Sequence, residues 1–160
     1  DWIHNKKPTT VGACTGAVSG LVAITPAAGT VDIVGAFFIG LITPLICFYM
    51  VAVIKPRFKY DDTLDAFGVH GIGGIVGSIL TGVFATQFIS GEGGVKGALY
   101  GDWHQLWIQI IATVISIVFS AVMPYILFKI TDRLVGIRAD KRVEEEGLDI
   151  YEHGESAYSH

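Results

Sequence analysis

The chain has 160 residues, 51% of them apolar, with a mean hydropathy of +0.54 and a net charge of −4. Its 15 acidic and 11 basic residues make up 16% of the chain, well below the roughly 25% of soluble domains. All of them fall outside four segments, 8–31, 33–54, 66–91 and 103–128, of 24, 22, 26 and 26 residues. A helix that crosses a bilayer needs about 20 mostly apolar residues. Four such stretches exclude an ordinary soluble domain, a nucleic-acid module and a secreted disulfide scaffold. The expected fold is an all-α polytopic membrane protein, with a transmembrane region over 1–130 and a charged tail over 131–160.

The first span is weakly hydrophobic and relies on its neighbours to insert. Gly12, Gly16 and Gly20 recur every four residues and place three missing side chains on one helix face. Backbones can then approach closely, and van der Waals contact replaces the hydrophobic drive that lipid lacks. The third span repeats the device with Gly73, Gly77 and a Ser78–Gly82 pair. Pro44 lies inside the second span and removes one helix hydrogen bond, which predicts a kink. Cys14 and Cys47 sit inside apolar segments and read as small buried hydrophobes. No Cys-x-x-Cys occurs, and neither a metal nor a cofactor is expected. The glycine-rich segment 90–102 follows no strand, so it reads as a connector and not as a phosphate loop.

Counting spans sorts the connections into two sides. Ten of the eleven basic residues lie on the side that holds 1–7, 55–65 and 129–160, against Lys96 alone on the other. Leaving the tail out, five stand against one. The positive-inside rule makes both ends cytoplasmic. Trp103 and Trp107 open the last span as an interfacial anchor would. The chain begins with Asp1 and shows no signal-peptide pattern; it reads as the C-terminal part of something longer. The tail has no apolar run able to form a core, with helix expected over 139–146.

His70 is the one ionisable side chain deep in a span. Counted from Asp62–Asp65 at 1.5 Å per residue, it lies roughly 8–12 Å along the helix. A charged group there costs at least about 2.5–3.5 kcal/mol. A neutral imidazole avoids that cost and still offers one donor and one acceptor. It can be a core histidine bonded between helices, or a group on a substrate or proton path. Glycines on both sides, in Gly68-Val69-His70-Gly71, leave room for close approach. Asp62 and Asp65 stand at the helix start, where carboxylates complement the dipole and cap free N–H groups.

Four stretches together resemble the ammonium transporters of the Amt/Mep/Rh superfamily: TGAVSGLVAITPAAG (15–29), DDTLDAFGVHGIGGIVG (61–77), GIR (136–138) and EGLDIYEHGESAY (146–158). The resemblance implies spans eight to eleven of an eleven-helix bundle, plus the cytoplasmic tail, in a plasma-membrane homotrimer with one pore per subunit. By it, His70 matches the second of two pore histidines, and the first belongs to a span outside this chain. Val18 and Ala66 fall where the family lines the inner pore with apolar side chains, and Asp65 matches a widely shared aspartate. The tail, with Arg138, Gly147, Asp149, His153 and Glu155 and an end at Tyr158, resembles the segment that packs under a neighbouring subunit and answers to PII-type signalling proteins. Ala139, Lys141 and Arg142 depart from the usual pattern.

The implied activity is passage of ammonium or ammonia through a narrow apolar pore. An ammonium sensor signalling through its tail is the alternative. An intramembrane enzyme fits poorly: Ala17-Val18-Ser19-Gly20 lacks the first glycine of a Gly-x-Ser-Gly nucleophile motif, and no intramembrane Asp-Gly dyad appears.

Overall fold

The computed structural model describes residues 6–156. They form helices and no strand, and four of the helices are long and apolar enough to cross a membrane. These are α1 (Thr10–Ala27), α2 (Ile33–Phe58), α3 (Phe67–Phe84) and a later one, α5 (Trp103–Val135). A short helix, α4 (Gln87–Ser90), lies between α3 and α5. Tyr158, with which the expected tail pattern ends, lies outside the described residues. By contact the chain forms two compact units, Asp1–Ser116 and Ile117–His160.

Each long helix starts on a side-chain cap. The Thr9 hydroxyl accepts from the Gly12 N–H at 3.0 Å, and the Asp32 carboxylate from the Gly35 N–H at 2.8 Å. Asp62 serves α3 and Asp102 serves α5. These bonds satisfy N–H groups that have no partner within the helix.

The ends differ from the charge-free runs. α2 continues past Ile54 through Lys55 and Pro56 to Phe58, because proline is tolerated in the first turn of a new helical segment. α3 stops at Phe84, short of the expected 91: Ala85 is extended and bridges to Val31, and the Thr86 N–H donates to the Thr30 carbonyl at 2.8 Å. α5 runs to Val135, past the charges at Lys129, Asp132 and Arg133. Pro44 leaves α2 helical throughout. The irregular turn falls further on, as a π-helical segment at Met50–Ile54.

The core of the first unit is small and narrow. Ala23, Ala27, Val31 and Ile39 are buried, with Ile24, Ala36, Leu80 and Phe84 packed against them. On α2 the buried residues Gly35, Ile39, Thr43 and Cys47 are spaced by four and make a single stripe. Phe38 and Phe84 stack at 6.0 Å. The hydroxyls of Ser19, Thr81 and Thr113 donate to carbonyls four residues back at 2.7–2.8 Å. These three hydroxyls are thereby satisfied locally.

Glycine sets the spacing. A Cβ on Gly77 would land on the backbone of Ala23, and one on Gly73 would press on Val22 and Cys47. Gly82 lies against Leu106 and Gln109 of α5, and beside it the Ser78 hydroxyl donates to the Gln109 side-chain amide oxygen, Oε1, at 3.2 Å. The row on α1 behaves differently: Gly20 faces Gly40 and Pro44, but Gly16 has nothing within 4 Å. Cys47 is buried as expected, whereas Cys14 is exposed, because it lies on a face of α1 that no helix among the described residues covers.

Gly77→Ala must push α3 away from a backbone that cannot yield. It should destabilise the protein by about 1–3 kcal/mol. Gly16→Ala meets no atom and should be neutral or slightly stabilising. Thermal unfolding in detergent distinguishes them, and equal midpoints for the two variants would contradict this packing.

Candidate functional site

The contact between α1 and α3 leaves an open apolar groove along one side of the pair. Its lining includes Val18, Val22, Thr25, His70 and Gly74, around about 640 Å³. A second hollow of about 350 Å³ continues along α1 past Val18 and His70 to Cys14, Thr10 and Leu64. Val18 and His70 border both, so these two sequence-selected residues are brought together. Ala66 is exposed at the start of α3 and borders neither hollow.

His70 is exposed, and its side chain makes no hydrogen bond among the described residues. It belongs to a π-helical turn, Phe67–Gly71, that opens α3. The helix begins later than Asp62–Asp65, so His70 stands in its first turn and helix length alone does not set its depth. Such wide turns interrupt the α pattern and are frequent at functional sites. No sequence signal marked this one apart from the flanking glycines. Gly68 is required here, since a Cβ would come within 2.6 Å of Val51 Cγ2.

The two aspartates do different work. The Asp62 carboxylate accepts from the Phe67 and Gly68 N–H groups at 3.0 and 3.2 Å, as a cap does. The Asp65 carboxylate instead accepts from Lys55 Nζ at 2.6 Å. Lys55 Nζ also donates to the Asp62 carbonyl at 2.6 Å. Asp65 has φ +54°, a left-handed conformation that few non-glycine residues adopt. Lys55 escaped the sequence analysis, where it counted only toward orientation. No signal in the spacing set it apart, since Arg57 and Lys59 follow within four residues. No group of three metal-ligating side chains occurs among the described residues.

In the second unit, the tail forms α6 (Lys141–Glu146) and α7 (Leu148–His153), joined at Gly147. Gly147 has φ +111°, which disfavours any side chain, and a Cβ there would meet the Asp149 carboxylate at 2.7 Å. Arg138 pairs with Glu144 through two bonds of 2.9 and 3.0 Å, so its fork is engaged within the tail. The Glu155 N–H donates to the Asp149 carbonyl at 3.2 Å, closing the last turn. His153 stands exposed in that turn.

With the groove and its histidine placed, likeness to known proteins becomes informative. The profile of the Ammonium Transporter Family matches residues 1–158. The chain belongs to that family. It is 47% identical over 159 residues to an ammonium transporter of Aquifex aeolicus (strain VF5), covering 99% of this chain and 37% of that protein. It is 47% identical over 158 residues to one from Bacillus subtilis (strain 168), covering 99% and 39%. In three dimensions it resembles the crystal structure of Candida albicans Mep2, with a TM-score of 0.80 at 33% identity, over 89% of this chain and 32% of that one. The chain therefore spans somewhat over a third of the curated relatives it matches. Its four apolar helices and its family make it a multi-pass membrane protein.

Tyr151 Oη donates to Glu146 Oε2, and Arg142 Nε donates to Oε1 of the same carboxylate at 2.8 Å. The phenol, then the guanidinium, hold the Glu146 carboxyl below its ordinary range. The Glu146 carboxylate in turn holds the Tyr151 phenol above its own. The clasp is thus complete at neutral pH. Tyr151's share is lost as pH rises through its raised pKa, and Glu146's as pH falls through its lowered one. Glu146→Gln should lower the pH at which Tyr151 ionises, read as ultraviolet difference titration against Tyr151→Phe. An unchanged midpoint would mean that the two side chains do not meet in solution.

Proposed function

We propose that this chain is the C-terminal part of a plasma-membrane ammonium transporter and that the groove bordered by Val18 and His70 forms one wall of its pore. The observation that carries this reading is the groove itself. In a chain of the Ammonium Transporter Family, the histidine of the α3 span borders an apolar hollow, and its side chain has no partner among the described residues. A neutral imidazole in such a wall can accept a hydrogen bond from a passing ammonium or ammonia, or donate one to ammonia, without the cost of a buried charge. Apolar neighbours such as Val18 keep the path from hydrating a bare cation.

The rest of the pore comes from outside these residues. Close to two thirds of the curated relatives' length lies beyond this chain. The charge bias supports a cytoplasmic C-terminus. In this reading the residues after about 130 form a cytoplasmic tail that carries Arg138, Gly147, Asp149, His153 and Glu155. That tail's resemblance to the family's docking segment supports assembly as a homotrimer and control by a PII-type protein.

His70→Ala should lower ammonium uptake by the full-length protein at least tenfold, or change its selectivity for ammonium over methylammonium, while leaving its thermal midpoint within about 2 °C. The ring is exposed and bonded to nothing among the described residues, so its loss removes little packing. Unchanged uptake and selectivity in liposomes would refute the pore role.

A further inference from the structure

We propose that Lys55 is a positioning residue for His70: it ties the end of α2 to the start of α3 and so fixes the π-helical turn that presents the imidazole. This rests on the pore reading of the groove.

Three observations converge on Lys55. The first is its reach. Nζ donates to the Asp65 carboxylate and to the Asp62 carbonyl, both at 2.6 Å, and bridges the corner between the two helices. The second is what that corner holds. The Asp62 carboxylate caps Phe67 and Gly68, the first two residues of the turn that contains His70. Asp65 is held in a left-handed conformation, which persists only where the surroundings over-determine it. Lys55 is the cation that does so. The third is a second point of attachment one turn earlier on α2. Lys55 directly follows the π-helical segment Met50–Ile54, and Val51 of that segment lies against Gly68. The two wide turns of the first unit therefore meet at Val51–Gly68 and are tied at Lys55–Asp65.

The consequence for His70 is angular. A residue gained or lost in a helical turn rotates what lies on one side of it by about 100° relative to the other. If the Phe67–Gly71 turn relaxed to regular α-helix, His70 and the glycines after it could not keep their present faces together. The imidazole would leave the groove it shares with Val18, or α3 would lose the Gly73 and Gly77 contacts. The ion pair is partly exposed, with about 26% and 32% of the two side chains accessible. Such a pair contributes little to overall stability, so its loss should act on the turn more than on folding.

The test uses the full-length protein in liposomes, with uptake normalised to folded, inserted transporter. Lys55→Met should lower ammonium uptake at least fivefold and shift the ratio of ammonium to methylammonium rates. Lys55→Arg, which keeps the charge and reach, should retain more than half the rate and the original ratio. Gly68→Ala, which displaces the second attachment, should shift the ratio in the same direction as Lys55→Met. If Lys55→Met does not fold, Asp65→Asn decides, since it keeps size and leaves the Asp62 cap in place. A lower melting temperature with unchanged rate and ratio would overturn the proposal and make Lys55 merely structural. If His70→Ala is also without effect, it is the pore reading that fails. If His70→Ala abolishes uptake while Lys55→Met and Asp65→Asn are silent, the positioning role alone fails.

Discussion

The contact on which the membrane part depends is the flat meeting of Gly77 with the backbone of Ala23. Lipid tails are as apolar as leucine, so nothing drives two spans together except contact, hydrogen bonding and the release of lipid. Contact is greatest where backbones touch, and backbones touch only where a side chain is missing. Gly73 and Gly77 draw α3 onto α1, and Gly82 brings α5 onto α3 beside the Ser78, Gln109 and Thr113 side chains. The core that results is thin and made of alanine, valine and isoleucine. Large apolar residues such as Phe37, Leu45 and Phe119 are left facing outward. In water such a surface would aggregate. In a bilayer, or against further spans, it is ordinary.

The same economy shapes the groove beside His70. Close packing of α1 on α3 at Ala23 and Gly77 leaves the neighbouring faces of the pair free, and there Val18 and His70 stand side by side. An irregular backbone at membrane depth is tolerated only where its polar groups find partners or line a cavity. The Phe67–Gly71 turn has both: the Asp62 carboxylate takes its first N–H groups, and its histidine borders the hollow. Lys55 sits behind this arrangement and joins it to the only other π-helical turn among the described residues. A site of this kind needs no buried charge in the groove, because the ionic groups are gathered at the helix corner.

The number of spans and their all-helical character were legible because charge is excluded from a bilayer core more strictly than any other feature of composition. Span ends were not. Charge-free runs overshoot at Phe84, where extended backbone pairs with Val31, and undershoot at Phe58 and Val135, where helices continue through lysine and arginine. Long basic side chains reach water from inside a helix, so a charge marks an interface and not a terminus. The glycine rows were legible as packing faces on α3, where a second helix covers them. Gly16 and Cys14 misled because the sequence of one helix does not say which faces its neighbours cover. Placing His70 with Val18 needed the resemblance as well as the residues. The partner of Asp65 was invisible, since nothing in the spacing of Lys55 and Asp65 tells an ion pair from two solvated charges.

The central claim is that the hollow bordered by Val18 and His70 is a conducting path and not a lipid-filled crevice. A single cysteine tests it most directly. With Cys14, which borders the same hollow, replaced by serine and buried Cys47 left in place, Val18→Cys in the full-length protein is treated with a small, water-soluble, uncharged thiol reagent. The account predicts that the thiol reacts and that uptake falls in step with its modification, while the same treatment of Phe37→Cys, on an outer face of α2, leaves uptake intact. A fully modified Val18→Cys protein that still takes up ammonium at its original rate would contradict the account.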